Sequence, residues 1–209
     1  MRNFFNLDNP IFQLLTRLAD LVITSMLCLI CCVPVVTAGA AFAALAKTTQ
    51  GLVRDEVTGT ARTFFRAFRA NFKQATVVWL CAVVVIAAIV CNYLLLRYFV
   101  TGALYTVLFV VLVVLAFIVL AILAYVFPLI ARYENTVKEH VRNAMVLSIY
   151  KLPKTILMVF LHVLPLLLAY FFPTILVYTM PFWVFMGFGF CSHVDSALLV
   201  PVFAELEKH

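Results

Sequence analysis

Apolar residues run along this chain in uncharged blocks of membrane-spanning length, and the short segments between them hold most of the charge. A bilayer core about 30 Å thick takes roughly 20 helical residues at about 1.5 Å each. The pattern therefore predicts transmembrane helices near 21–46, 75–96 and 101–131. The uncharged stretch 155–192 is too long for one crossing. A break at Tyr178–Thr179–Met180–Pro181 divides it, because Pro181 suits the first turn of a helix, where its missing N–H does no harm. Spans near 155–177 and 182–203 follow. Pro34 and Gly39 lie inside the first block and predict a kinked helix there. The Ala-rich run after them predicts close packing against small neighbours.

Composition agrees with this pattern. Of 209 residues, 66% are hydrophobic and 11% charged, with a mean hydropathy of +1.13. Such a chain cannot cover a soluble core with polar surface. The expected fold class is an all-α membrane protein, a single domain over 1–209. It is a bundle of about five transmembrane helices with a cytoplasmic amphipathic helix. No cleavable signal peptide is expected, since the first apolar block begins only after Asp20 and is too long for one. The six cysteines all lie in apolar blocks, where free Cys behaves as a small buried hydrophobe. Cys28, Cys31 and Cys32 have a metal-like spacing, yet no His or second Cys pair accompanies them, so no metal or cofactor is expected.

Loop charge sets an orientation. The segment 47–73 holds Lys47, Arg54, Arg62, Arg66, Arg69 and Lys73, and 132–154 holds Arg132, Lys138, Arg142, Lys151 and Lys154. Short loops rich in Lys and Arg stay cytoplasmic. With five spans this predicts an N-terminus outside and a C-terminus inside, although Arg2 and Arg17 on the outer side count against it. The expected location is a bacterial inner membrane. The net charge of +6 is read as a topology signal and as contact with anionic lipid, with no nucleic-acid partner.

The strongest local pattern lies near 60–74. At about 100° per residue, Arg62, Arg66, Arg69 and Lys73 share one arc, and Phe64, Phe65, Phe68 and Phe72 share another. This predicts an interfacial helix with its Phe side chains among acyl chains and its cations at the headgroups. The same face would also serve as a docking surface for a partner or an anionic ligand. His162 and Asp195 form the second pattern, one in each of the last two spans at a common predicted depth. Ionisable residues inside a span usually face a bundle interior, so this pair is read as a satisfied buried couple or, alternatively, as a relay or substrate site. Arg17 and Asp20, one turn apart, predict a local ion pair. Asp8–Asn9–Pro10 predicts a helix start capped by Asn9. No catalytic signature is present, neither P-loop, H-E-x-x-H, G-x-S-x-G nor dinucleotide fingerprint.

The chain also resembles a known family. FFNLDNP, RLADL, CVPVVTAG, LVRDE, FFRAFRANFKQAT, FPLIARYENT, RNAMVLSIYKLPKT and LLVPVFAELE occur in the order found in the YesL-like integral membrane proteins of bacteria. That resemblance implies an accessory role in carbohydrate or oligosaccharide use and transfers no catalytic residue. The segment 134–153 also invites comparison with the cytoplasmic loop by which ABC sugar permeases dock their ATPase. Glu134, Leu152 and Pro153 match it, whereas Asn135, Thr136, His140 and Tyr150 depart from it. An ordinary amphipathic loop helix ending before Pro153 explains the segment as well, and the 132–154 loop is expected to be a contact surface beside the 60–74 helix. The expected function is a non-enzymatic accessory protein that contacts an ABC-type sugar transporter subunit or a membrane sensor. The alternative is a small transporter or channel using His162 and Asp195.

Overall fold

A computed structural model describes residues 10–57 and 59–207. It contains eight helices among these residues, and five stretches are long and apolar enough to cross a bilayer. The chain is thus an all-α, multi-span membrane-type bundle.

Helix α1 (Pro10–Cys32) buries Leu21, Thr24, Ser25 and Cys28, which recur at helical spacing, and leaves Leu14, Leu18, Ile23 and Ile30 outward. It ends two residues before Pro34, which disfavours helix in the residue preceding it. A 3₁₀ turn (Val35–Thr37) follows, tied back by the Thr37 hydroxyl, which donates to the carbonyls of Cys31 at 2.5 Å and Pro34 at 2.8 Å. The chain then reverses into α2 (Ala38–Val53). The 21–46 block is therefore not one kinked span. Its membrane-length part is Phe12–Cys32, and α2, about 24 Å long at helical rise, returns beside it.

Nearly all of α2 is buried, because its Ala and Gly positions let neighbouring backbones approach closely. At Gly39 an added Cβ would strike the Ala75 carbonyl and the Trp79 Cβ. Trp79 in turn donates its indole N–H to the Val35 carbonyl at 2.7 Å. Gly59, at φ +124°, turns the chain into α3 (Thr60–Phe99).

Helix α3 runs unbroken for 40 residues, about 60 Å and roughly twice the bilayer core. The segment 60–74 is consequently the first part of a spanning helix and not a separate interfacial one. A hairpin at Gly102 (φ +73°) leads into α4 (Ala103–Arg132), with Tyr93 and Phe109 in ring contact across it. The far half of this hairpin exposes Val84, Val90, Leu104, Val107 and Val110, as a lipid-facing surface would.

Helix α5 (Val137–Tyr150) begins with a capping box between Thr136 and Glu139. Helix α6 (Leu152–Phe171) follows, with Pro153 in its first turn. The break between the last two spans falls at Phe172, where Pro173 opens α7 (Pro173–Phe182), and not at Tyr178–Pro181. Pro181 sits inside the helix, immediately before a π-helical turn (Trp183–Gly187) that joins α7 to α8 (Phe188–Leu206). Pro removes one ladder hydrogen bond, and the wider turn beside it absorbs the defect without ending the helix. One apolar core unites Ala43, Ala75, Val126, Leu147, Met158, Leu199 and Phe203 from α2, α3, α4, α5, α6 and α8.

Candidate functional site

The first part of α3 carries the basic pattern. Arg62, Arg66, Arg69 and Lys73 are all exposed, and among the described residues none has a carboxylate within ion-pair distance. Four other cations are paired: Arg17–Asp55 at 2.9 Å, Arg54–Glu56 at 3.2 Å, Arg132–Glu207 at 2.9 Å and Lys151–Glu205 at 3.0 Å. The aromatic half of the pattern divides. Phe64 is fully buried against Cys28, Ala41, Ala44 and Leu45, and Phe68 packs onto the same cluster. Phe65 and Phe72 stay exposed. The four Phe side chains therefore do not share one lipid-facing surface; two of them hold the row onto the α1–α2 pair.

Helix α5 presents a second surface. Its inner face buries His140, Ala144, Leu147 and Ser148, whereas Met145, Val146, Ile149 and Tyr150 point outward. The Glu139 carboxylate accepts from the Thr136 N–H and hydroxyl, both at 2.9 Å, and these bonds hold it below the usual carboxylate range. Burial pushes the His140 imidazole below its ordinary value, with Glu139 opposing. The amphipathic loop helix expected before Pro153 is present as α5, with Met145, Val146 and Ile149 on its exposed side.

His162 and Asp195 do meet, His162 Nε2 lying 3.5 Å from Asp195 Oδ2. They are not the satisfied buried couple expected, because the His162 side chain is 44% exposed while Asp195 is buried with its Oδ1 lacking a partner. Nearby, the Thr49 hydroxyl lies 2.8 Å from both Ser192 Oγ and Ser196 Oγ, fastening α2 to α8. Two cavities, of about 460 and 500 Å³, lie elsewhere. One is an apolar groove along α3 from Trp79 to Leu94, and the other is a polar groove between the start of α1 and the end of α2.

Arg17 and Asp20 do not pair with each other. Arg17 bonds Asp55, and Asp20 accepts from the Thr60 hydroxyl at 2.5 Å. The reversal between α1 and α2 makes these longer-range partners available. It also sets the start of α1 beside residues 54–60, so the two are on one side and not on opposite faces of a membrane. Asp8 and Asn9 lie outside the described residues. No group of His, Cys, Asp and Glu suited to a metal occurs among the described residues. The Cys28 and Cys32 sulfurs are 3.9 Å apart as free thiols.

Fold and sites together define a multi-span membrane-type protein with a cationic row outside its apolar core. Residues 12–93, which cover α1, α2 and most of α3, match the family described as "Protein of unknown function, DUF624". No curated protein matches the chain. No solved structure matches it either.

Proposed function

We propose that this chain is a non-enzymatic accessory protein of a bacterial inner membrane that works by contact with a partner at its cytoplasmic surface. The observation that carries this reading is the row Arg62, Arg66, Arg69 and Lys73: four exposed cations on one helix, unpaired among the described residues. Exposed like charges a turn apart repel one another, and a complementary acidic surface relieves that repulsion while steering association. Phe65 and Phe72 beside the row, and the apolar stripe of α5, supply the desolvated contact area that charge alone does not. The YesL-like resemblance points to carbohydrate uptake or use, which makes an ABC-type sugar transporter subunit or a membrane sensor the partner of choice.

The α1–α2 reversal supports a revised sidedness. If basic segments remain cytoplasmic, the start of α1 joins them, because Arg17 bonds Asp55. The start of α1 and the end of α8 are then both cytoplasmic, and Arg17 ceases to be an exception. In this arrangement α5 lies along the interface, its outer Met145, Val146 and Ile149 against the acyl boundary or the partner.

A photo-crosslinking amino acid at Phe65 or Phe72, in cells expressing the chain at native levels, tests the reading. Capture of a transporter subunit or sensor is the expected outcome. Capture of lipid alone, with sugar transport by the purified protein in liposomes, would contradict it and favour the second reading, a small transporter. That alternative draws on the approach of His162 Nε2 to Asp195 Oδ2 at 3.5 Å.

A further inference from the structure

A second set of cations lies inward of the row. Lys47, Gln50 and Arg54 recur on α2 at helical spacing, so they share one face. The Gln50 side-chain amide donates to the Pro128 carbonyl at 3.1 Å, which brings that face to the last turn of α4, one turn before Arg132. Arg66 approaches from α3. Burial, and then the charges of Arg54, Arg132 and Arg66, push the Lys47 ammonium below its ordinary value, with Glu56 opposing. Two carboxylates face this group, and both are already engaged: Glu56 with Arg54 at 3.2 Å, and Glu207 with Arg132 at 2.9 Å. Four cations against two carboxylates leave Lys47 and Arg66 without compensation. A buried donor at the same place also lacks a partner, Arg132 Nη1, on a side chain that is 11% exposed.

We propose that Lys47, Arg54, Arg66 and Arg132 form a binding site for a phosphate-class dianion at the basic surface of the protein. A phosphate monoester carries about −1.5 to −2 charge near neutral pH, which matches the uncompensated pair. Arg forks suit its oxygens, and Lys47 serves as a point charge. The anion is a free phosphate group or the phosphomonoester headgroup of a lipid, since both present the same oxygens. The site does not depend on the partner-contact reading, because the purified chain alone would bind.

The full chain in neutral detergent is titrated with inorganic phosphate, and in phosphatidylcholine nanodiscs it is offered phosphatidic acid. Melting temperature and bound probe are read, and chloride at matched ionic strength is the control. Binding of at least one probe is expected. Lys47→Met should weaken it about tenfold or more, a charged hydrogen bond's usual worth, and Lys47→Arg should restore part of it. Arg66→Gln should also weaken it and serves where Lys47→Met does not fold, whereas Arg97→Gln, at the far end of α3, should change nothing. Retention of phosphatidic acid without response to phosphate identifies a lipid headgroup, and the reverse identifies a soluble anion. Failure of both probes, an equal effect of chloride, or undiminished binding by Lys47→Met and Arg66→Gln would overturn the proposal.

Discussion

His162 Nε2 on α6 stands 3.5 Å from Asp195 Oδ2 on α8, so the two helices bring their ionisable side chains together. His162 Nδ1 lies 2.9 Å from the Met158 carbonyl oxygen, which can only accept, so Nδ1 carries a hydrogen. In a neutral ring Nε2 is then bare, and it faces Asp195 Oδ2 at 3.5 Å. Asp195→Asn keeps a donor toward Nε2 without charge, and thermal melting should fall by only about 1 kcal/mol. His162→Phe strands a buried carboxyl and should cost about 1–3 kcal/mol. Unfolding of Asp195→Asn under mild conditions would contradict this account. A well-folded Asp195→Asn that abolishes sugar-dependent growth would instead favour the transporter reading.

Gly39 sets the distance between α2 and α3. An added methyl would meet the Ala75 carbonyl, a backbone atom that cannot rotate away. Gly39→Ala should lower stability by about 1–3 kcal/mol, the usual cost of overpacking. At Gly189 a Cβ would lie 2.6 Å from Ser25 Oγ, which also accepts the Gly189 N–H at 2.7 Å. Gly189→Ala should therefore loosen α1 from α8. Melting curves that superimpose on the parent for both variants would show that these helices are not in close contact.

Stability should fall in two steps as pH drops. The His140 imidazole is buried and held below its ordinary 6.5. Between that depressed value and about 6.5 the unfolded chain binds more protons, so stability falls with pH through this window and then levels. Glu207 is held below its ordinary 4.5 by the Arg132 guanidinium and then the Tyr133 hydroxyl. Its contribution is present above 4.5 and is lost as pH falls through the depressed value. Melting temperature measured from pH 8 to 3 should show both phases, and His140→Leu should remove only the upper one. An upper phase that persists in His140→Leu would assign it to another group.

Both ends of the α1–α2 pair should label from the same side. Single cysteines replacing Arg17, Asp55 and Arg97, in a chain freed of its other cysteines, can be treated with an impermeant maleimide on intact cells. Only the Arg97 position should react. Reaction at position 17 but not at 55 would contradict the Arg17–Asp55 contact.

Hydropathy made the long helices legible, because α4, α6 and the part of α3 after Lys73 each hold a membrane-length apolar run, and the meeting of His162 with Asp195 followed from treating α6 and α8 as a hairpin. The reversal at Val33–Pro34 was not legible. Apolar residues continue across it without a polar turn, and a Pro inside a hydrophobic run reads equally as a kink. The opposite error arose at Pro181, where a helix continues through a π turn that no residue type announces. At 60–74 the amphipathic pattern was real, but its apolar arc met a protein surface at Cys28, Ala41 and Ala44. Periodicity alone does not say whether such an arc meets lipid or protein.

The central claim is that the cations on the first part of α3 recruit a partner. The direct measurement is co-purification from native membranes of the parent chain beside Arg62→Glu/Arg69→Glu/Lys73→Glu, all three side chains being exposed. The account predicts that a transporter subunit or sensor accompanies the parent and is lost from the variant, while the two melt alike. Equal recovery of that partner by a folded variant would contradict it.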